Sequence, residues 1–363
     1  MAGARYRNKP PILEEPHMTT HSLTSKLLDF EDPDEAVEFY LNQGWTDGLP
    51  VVPPTPDRVG RSLENAGRSP SEIIGTEPTK GRVITAEKVA INSVMAGCLP
   101  EHLPVVLSAV EALCEPSFNL HAITVSTAGA AVLVVVNGPV ASKLGLNSGV
   151  SVFGPGNRAN ATIGRAVRLV IANVTGAAPG VLDKATLGHP GKYTWCIAEA
   201  EDISPWEPLH VERGLTAGQG AVTIFAGLSP IQTANGGSDR PEDILDSFTD
   251  AMFAAGPEQG ETVMVLSPEH VGHFRAAGWT KRQVKEYLFQ RAQRPVSEWA
   301  KVGAMAAPES PDADTSIAVA QSPDSITVVV AGGLAGGFSD VIPLWGGGSN
   351  SRSVTRPVRA GLA

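Results

Sequence analysis

The sequence predicts an α/β fold, with mixed sheets and packed helices. Three observations carry this. Short apolar, β-branched runs, "AVLVVV" at 131–136, "TVMVL" at 262–266 and "ITVVV" at 326–330, read as buried strands. Segments of helical period separate them. The 38 glycines and 29 prolines divide the chain into many short elements joined by tight turns. With 363 residues there is enough chain for two domains or one large one. The expected division is a polar N-terminal arm over 1–30, a first α/β unit over 31–220, and a second over 221–363 that ends in a Gly/Ser-rich loop.

Along the chain, "DPDEAVEFYLNQGW" predicts a helix with Asp32 or Asp34 at its start and Gly44 as terminator. The prolines at 50, 53, 54 and 56 then exclude a sheet interior and predict a stiff connector. Trp45, Asp47 and Gly48 before it also allow a loop lining a substrate. Thr85 is an acceptable N-cap for the next helix, Gly97 ends it, and Pro100 opens another, which leaves Cys98 in the junction near a helix N-terminus. Strands and helices alternate from there. The strand–turn–helix–helix order of 132–173 returns over 263–292, which suggests an internal duplication with pseudo-two-fold symmetry. The stretch 306–316 reads as a linker, and the tail with Arg352 and Arg356 as a loop over a site.

Composition excludes several classes. A formal net charge of −10 argues against nucleic acid as a partner. No apolar run reaches the roughly 18–20 residues of a membrane span, and the first 18 residues lack the apolar core of a signal peptide. Three cysteines make no disulfide framework, so a reducing cytoplasm is the simplest setting. The expected partner is a small-molecule substrate, with a homo-oligomer suggested by the N-terminal arm.

The densest chemistry lies in "LDKATLGHPGKYTWCIAEAEDISPWEPLHVERG", residues 182–214. His189, His210, Lys184, Lys192, Glu199 and Glu207 are the candidate acid–base groups there, since histidine titrates near neutral pH and carboxylates complement it. Prolines 190, 205 and 208 keep the segment out of one regular helix, so a shared polar pocket is expected. The strand within it places Tyr193, Trp195, Ile197 and Glu199 on one face, and Thr194, Cys196 and Ala198 on the other. Neither H-x-x-x-H nor C-x-x-C occurs in this segment, so no metal is expected and the sequence assigns no cofactor. "VFGPGNRANATIGRAVRLV" is neither a dinucleotide fingerprint nor a P-loop. Its Gly-Pro-Gly turn enters a helix, which makes Gly156, Asn157, Arg158 and Asn160 candidates for holding an anionic group. Cys98 is an alternative thiol centre, with His102 as its base. Cys114 reads as core, and His270 and His273 as an exposed helix face.

Several stretches together resemble a widespread, largely uncharacterised bacterial protein family: "GWTDGLPVVPPT", "VMAGCLPEHLPVVLSAVEA", "VFGPGNRANATIGRAVRLV", "DKATLGHPGKYTWCIAE", "SPWEPLHVERG" and "GSNSRSVTRP". The family is loosely associated with selenoproteins named for a U-G-S-C motif, and this chain has neither the motif nor selenocysteine. The resemblance covers the chain from about Gly44 onward and implies no activity. On the residues alone, the leading expectation is a cytoplasmic acid–base enzyme, a lyase or hydrolase, acting on a small polar or anionic substrate. The alternatives are a Cys98-dependent thiol enzyme and a non-catalytic binding or assembly protein.

Overall fold

The structure is a computed structural model that describes residues 23–254, 256–257, 260–310, 314–346 and 350–359. The chain begins with α1 (Pro33–Asn42), α2 (Pro56–Ala66), the hairpin β1 (Ile73–Glu77) and β2 (Arg82–Thr85), α3 (Ala86–Ala96), α4 (Leu103–Leu113) and α5 (Leu120–Val125). There follow β3 (Ala131–Asn137), α6 (Pro139–Lys143), α7 (Arg158–Asn173), β4 (Cys196–Ala198), α8 (Leu209–Glu212), β5 (Ala221–Gly227) and β6 (Ile231–Ala234). The rest comprises α9 (Pro241–Phe253), β7 (Thr262–Leu266), α10 (Pro268–Ala276), α11 (Lys281–Arg291), β8 (Gln293–Pro295) and α12 (Val296–Lys301). β9 (Ser316–Ala318), β10 (Ile326–Val330), β11 (Phe338–Pro343) and β12 (Val354–Pro357) close it.

The fold is α/β, with two mixed four-stranded sheets in the orders β12-β5-β3-β4 and β10-β7-β11-β6. In each, a central strand (β3 or β7) has a parallel neighbour on one side (β4 or β10). On its other side lies an antiparallel one (β5 or β11), which pairs outward with the fourth strand. That fourth strand is exchanged: β6 follows β5 in sequence but joins the second sheet, and β12 returns from the end of the chain to the first. The two segments meet at an antiparallel bridge between Gly227 and Leu344. There the Leu228 N–H donates to the Pro343 carbonyl at 2.8 Å, and the Trp345 N–H to that of Ala226 at 2.8 Å. The division expected at residue 220 therefore falls between β4 and β5 of one sheet. The tail read as a loop contributes the edge strand β12.

Both faces of each sheet are covered, which is why the strands read as unbroken apolar runs rather than as alternating ones. Side chains of period two go to opposite sides. Leu133 and Val135 pack between the sheets with Phe225, Val263, Val265 and Val329. Val134 and Val136 pack outward against α3, α4 and α7, while Met264, Leu266 and Val328 pack outward against α9, α10 and α11. Helices thus flank a face-to-face pair of sheets. Each fully buried Val or Leu contributes roughly 1.5–3 kcal/mol of transfer free energy.

Local signals hold where chemistry dictates them. Asp32 caps α1, accepting from the N–H groups of Asp34 and Glu35. Thr85 caps α3, and Gly97 ends it at φ 93°. The proline connector is locked by Asp47, whose carboxylate receives the Arg165 guanidinium at 2.7 and 2.8 Å; that observation favours a brace. Gly164 lets α7 approach β4: a Cβ there would lie 2.5 Å from the Trp195 nitrogen.

Candidate functional site

β3 and β4 are parallel, so their carboxyl ends lie side by side. In open α/β sheets ligands bind outside such ends. Asn137 ends β3, and Glu199 and Glu201 follow β4 two residues apart. The Asn137 Nδ2 donates to Glu199 Oε2 at 2.6 Å and to Glu201 Oε1 at 2.9 Å, bridging the two carboxylates. The Gly138 N–H donates to Glu201 Oε1 at 2.7 Å. The Leu209 N–H, at the start of α8, donates to Glu199 Oε2 at 2.8 Å. That contact seats the next residue, His210, with Nδ1 3.9 Å from Glu201 Oε1.

This cluster is buried and incompletely bonded. Asn137 and His210 are wholly buried and Glu199 is 4% exposed, while Glu201 reaches the surface. Among the described residues six buried side-chain polar atoms lack a hydrogen-bond partner. Four of them are here: Asn137 Oδ1, Glu199 Oε1, and Nδ1 and Nε2 of His210. Each such atom costs about 1–3 kcal/mol, which native structures rarely tolerate without a functional reason. Burial pushes the Glu199 carboxyl above its ordinary value; the Lys281 charge and the N–H donors of Leu209 and Asn137 offset part of this, and Glu201 adds to it. Beneath the cluster Lys281, nearly buried, donates to the Glu207 carbonyl at 2.8 Å and to Glu212 Oε2 at 3.0 Å. Lys285 holds the other Glu212 oxygen.

The structure unites Glu199 and His210 and separates the other expected groups from them. His189 caps the short 3-10 turn Pro190–Lys192, its Nδ1 accepting from the Gly191 N–H at 3.2 Å. Its Nε2 lies 3.2 Å from the Gly227 carbonyl, and Trp195 packs edge-on against its ring. Gly227 pairs with Ala131 at the start of β3, whereas the Asn137 cluster is at its end, roughly 20 Å away at a strand's rise per residue. The shared pocket expected for His189, Lys192, Glu207 and His210 therefore does not form: the length of β3 lies between its halves. Lys192 is bound to Asp183 at 2.7 and 2.8 Å. Lys184 is exposed and donates to the Gly180 carbonyl. The Glu207 side chain is exposed, and only its backbone serves the cluster.

The expected anion cradle is committed elsewhere. Arg158 is exposed and donates to the Gly97 carbonyl at 3.1 and 2.9 Å, closing the C-terminus of α3. Asn157 caps α7, and Asn160 pairs both ways with the Asn147 backbone. Gly156 lies in the exposed turn at φ 118°. Burial pushes the Cys98 thiol up to about 12, with Thr162 and Arg158 offsetting only part, so desolvation outweighs the helix-end effect expected for it. The Nδ1 of His102 accepts from the Leu99 N–H. Cys114 packs against the core. His270, expected on an exposed face, is wholly buried between Ser339 Oγ (2.7 Å) and the Asn235 carbonyl (2.9 Å).

Asn137, Glu201 and Lys281 were not singled out in the sequence. Glu201 had a signal: extending the period-two face of Trp195, Ile197 and Glu199 by one step reaches it. Among the described residues no group of three or more His, Cys, Asp or Glu is placed to hold a metal ion. Nor is any helix there long and apolar enough to cross a membrane. No family model and no curated protein matches the chain.

Proposed function

We propose that this chain is an acid–base enzyme of the lyase or hydrolase type, acting on a small polar substrate at the Asn137–Glu199–Glu201–His210 cluster. Membership of the bacterial family that its motifs resemble belongs to the same reading, as do a cytoplasmic setting and a homo-oligomer. The observation that carries it is the set of four unpartnered buried polar atoms on three adjoining side chains. Asn137 Oδ1 is an acceptor, so the substrate brings at least one N–H or O–H group to it. Glu199, whose neutral form burial favours, serves as general acid. Glu201 lies on the exposed side, where substrate enters, and His210 stands beside it to take or return a proton. The Arg158 guanidinium is spent on a carbonyl, which favours a polar over an anionic substrate. A raised thiol at Cys98 favours acid–base over thiol chemistry.

The test is a screen of small amides, hydroxy acids and amines for turnover, followed by Glu199→Gln and His210→Gln on the substrate found. A loss of about 10²–10⁴-fold in kcat for each folded variant is expected. Near-normal turnover in both would remove the reading.

A further inference from the structure

A second feature shares no lining residue with the Asn137 cluster. Residues 23–30 cross over α3 as a strap fixed at both ends. At one end the buried Glu87 carboxylate receives the Thr24 N–H at 2.9 and 3.1 Å, the Thr24 hydroxyl at 2.7 Å and the Ser25 N–H at 2.8 Å. At the other, the Phe30 ring packs 5.3 Å from Phe39 and 6.2 Å from Tyr40. Between these anchors Lys26, Leu27 and Leu28 line a cavity together with residues of α3. The cavity measures about 940 Å³, floored by Ile91 and Met95 and walled by Phe39, Tyr40 and Trp45. The rings of that wall pack against one another, Trp45 lying 5.8 Å from Phe39 and 5.6 Å from Tyr40. The wall is thus held in shape by its own ring contacts.

The size falls within the 300–1,000 Å³ of small-molecule sites, and apolar walls with a few polar groups are their usual composition. The polar lining tells what kind of molecule. Asn92 and Asn173 bond to each other, and Glu87 is saturated by the strap. Lys88 is exposed and, among the described residues, donates to the neutral Ser25 hydroxyl at 3.0 Å; Lys26 also lines the cavity. Two lysines stand against one carboxylate that is already occupied, and the excess is positive in a chain whose net charge is −10.

We propose that this cavity binds a small monoanionic amphiphile, its aromatic or aliphatic body against Phe39, Tyr40, Trp45, Ile91 and Met95, and its carboxylate or sulfonate on Lys88 and Lys26. The probes are 8-anilinonaphthalene-1-sulfonate and its uncharged relative N-phenyl-1-naphthylamine, titrated by fluorescence into the full chain. Native near-ultraviolet circular dichroism is confirmed throughout. Saturable binding of the sulfonate, one per chain, is expected. Ile91→Trp fills the cavity and weakens both probes at least about tenfold; Met95→Phe serves the same purpose should the larger ring prevent folding. Lys88→Glu weakens the sulfonate about five- to tenfold while changing the uncharged probe less than about twofold, the scale of one partly exposed charge pair. The proposal is overturned if the sulfonate does not saturate, if the filling variant binds as the native chain does, or if Lys88→Glu weakens both probes equally.

Discussion

The stretch from Asp183 to Lys192 and the stretch from Glu199 to Glu212 adjoin in sequence and carry similar side chains, yet the first is electrostatically closed and the second is not. In the first, the nearly buried Asp183 receives Lys192 at 2.7 Å and Arg168 at 2.9 Å, along with the Ala185 N–H at 3.1 Å. Both ring nitrogens of His189 have a partner. In the second, Glu199 keeps one oxygen unbonded and His210 keeps both nitrogens so. Crowding of acid and base is common to the two, so crowding alone does not mark a site. What distinguishes them is whether burial has been matched by bonding, because a satisfied buried network rigidifies a fold whereas an unsatisfied one holds bonding capacity for something else.

Catalysis should show the largest difference between the two stretches. On any substrate the chain turns over, Glu201→Gln should lower kcat by about 10²–10⁴-fold, as loss of an essential acid or base does. His189→Gln and Lys192→Met, compared per folded molecule, should stay within about threefold. Equal losses in the two groups would mean that the closed stretch also takes part and that the contrast is not functional.

Stability should respond in the opposite sense. Asp183→Ala leaves Lys192 and Arg168 half-buried with no carboxylate between them, and removing one partner of a buried pair costs about 3–5 kcal/mol. His210→Leu removes two unpartnered nitrogens and keeps the volume apolar, which is nearly neutral or stabilising; a cost above about 1 kcal/mol is not expected. Urea midpoints at fixed slope decide this. A large loss for His210→Leu would show that its ring is satisfied in solution.

Much of the fold was legible because its signals are local. Asp32, Thr85 and Gly97 end their helices by bonds to residues a few positions away. The buried strands announce themselves through β-branched runs. The exchange of β6 and β12 was not legible, since each edge strand is short and its partner lies more than a hundred residues off in sequence; no periodicity records which sheet a strand joins. The same holds for the site. Glu199 and His210 are close in sequence and stand among the expected groups, but Asn137 comes from another strand and Lys281 from α11. The separation of His189 from His210 was not legible because its sequence neighbours say nothing of β3, whose length lies between them. Arg158 at a glycine turn reads as an anion ligand until the Gly97 carbonyl, 61 residues away, is seen to occupy it.

The subtlest expected difference is in pH dependence, where the two carboxylates should have opposite signs. Burial raises Asp183, but the Lys192 hydrogen bond, the Ala185 N–H and the Lys192 and Arg168 charges outweigh it, so its folded value lies below the ordinary 3.8. The stability it gives is present above that ordinary value and is lost as pH falls through the folded one. Asp183→Asn should therefore cost most at neutral pH and progressively less below about pH 4. For Glu199 burial prevails, and the folded value lies above the ordinary 4.5. Its neutral form is favoured in the folded chain, so its contribution is complete below that ordinary value and declines as pH rises through the folded one. Glu199→Gln removes the titration, and should gain stability relative to the native chain as pH rises from below the ordinary 4.5 upward. Urea midpoints across that range measure both slopes. A flat or falling difference for Glu199→Gln would mean that Glu199 ionises at least as easily folded as unfolded, and the general-acid role proposed for it would then be lost.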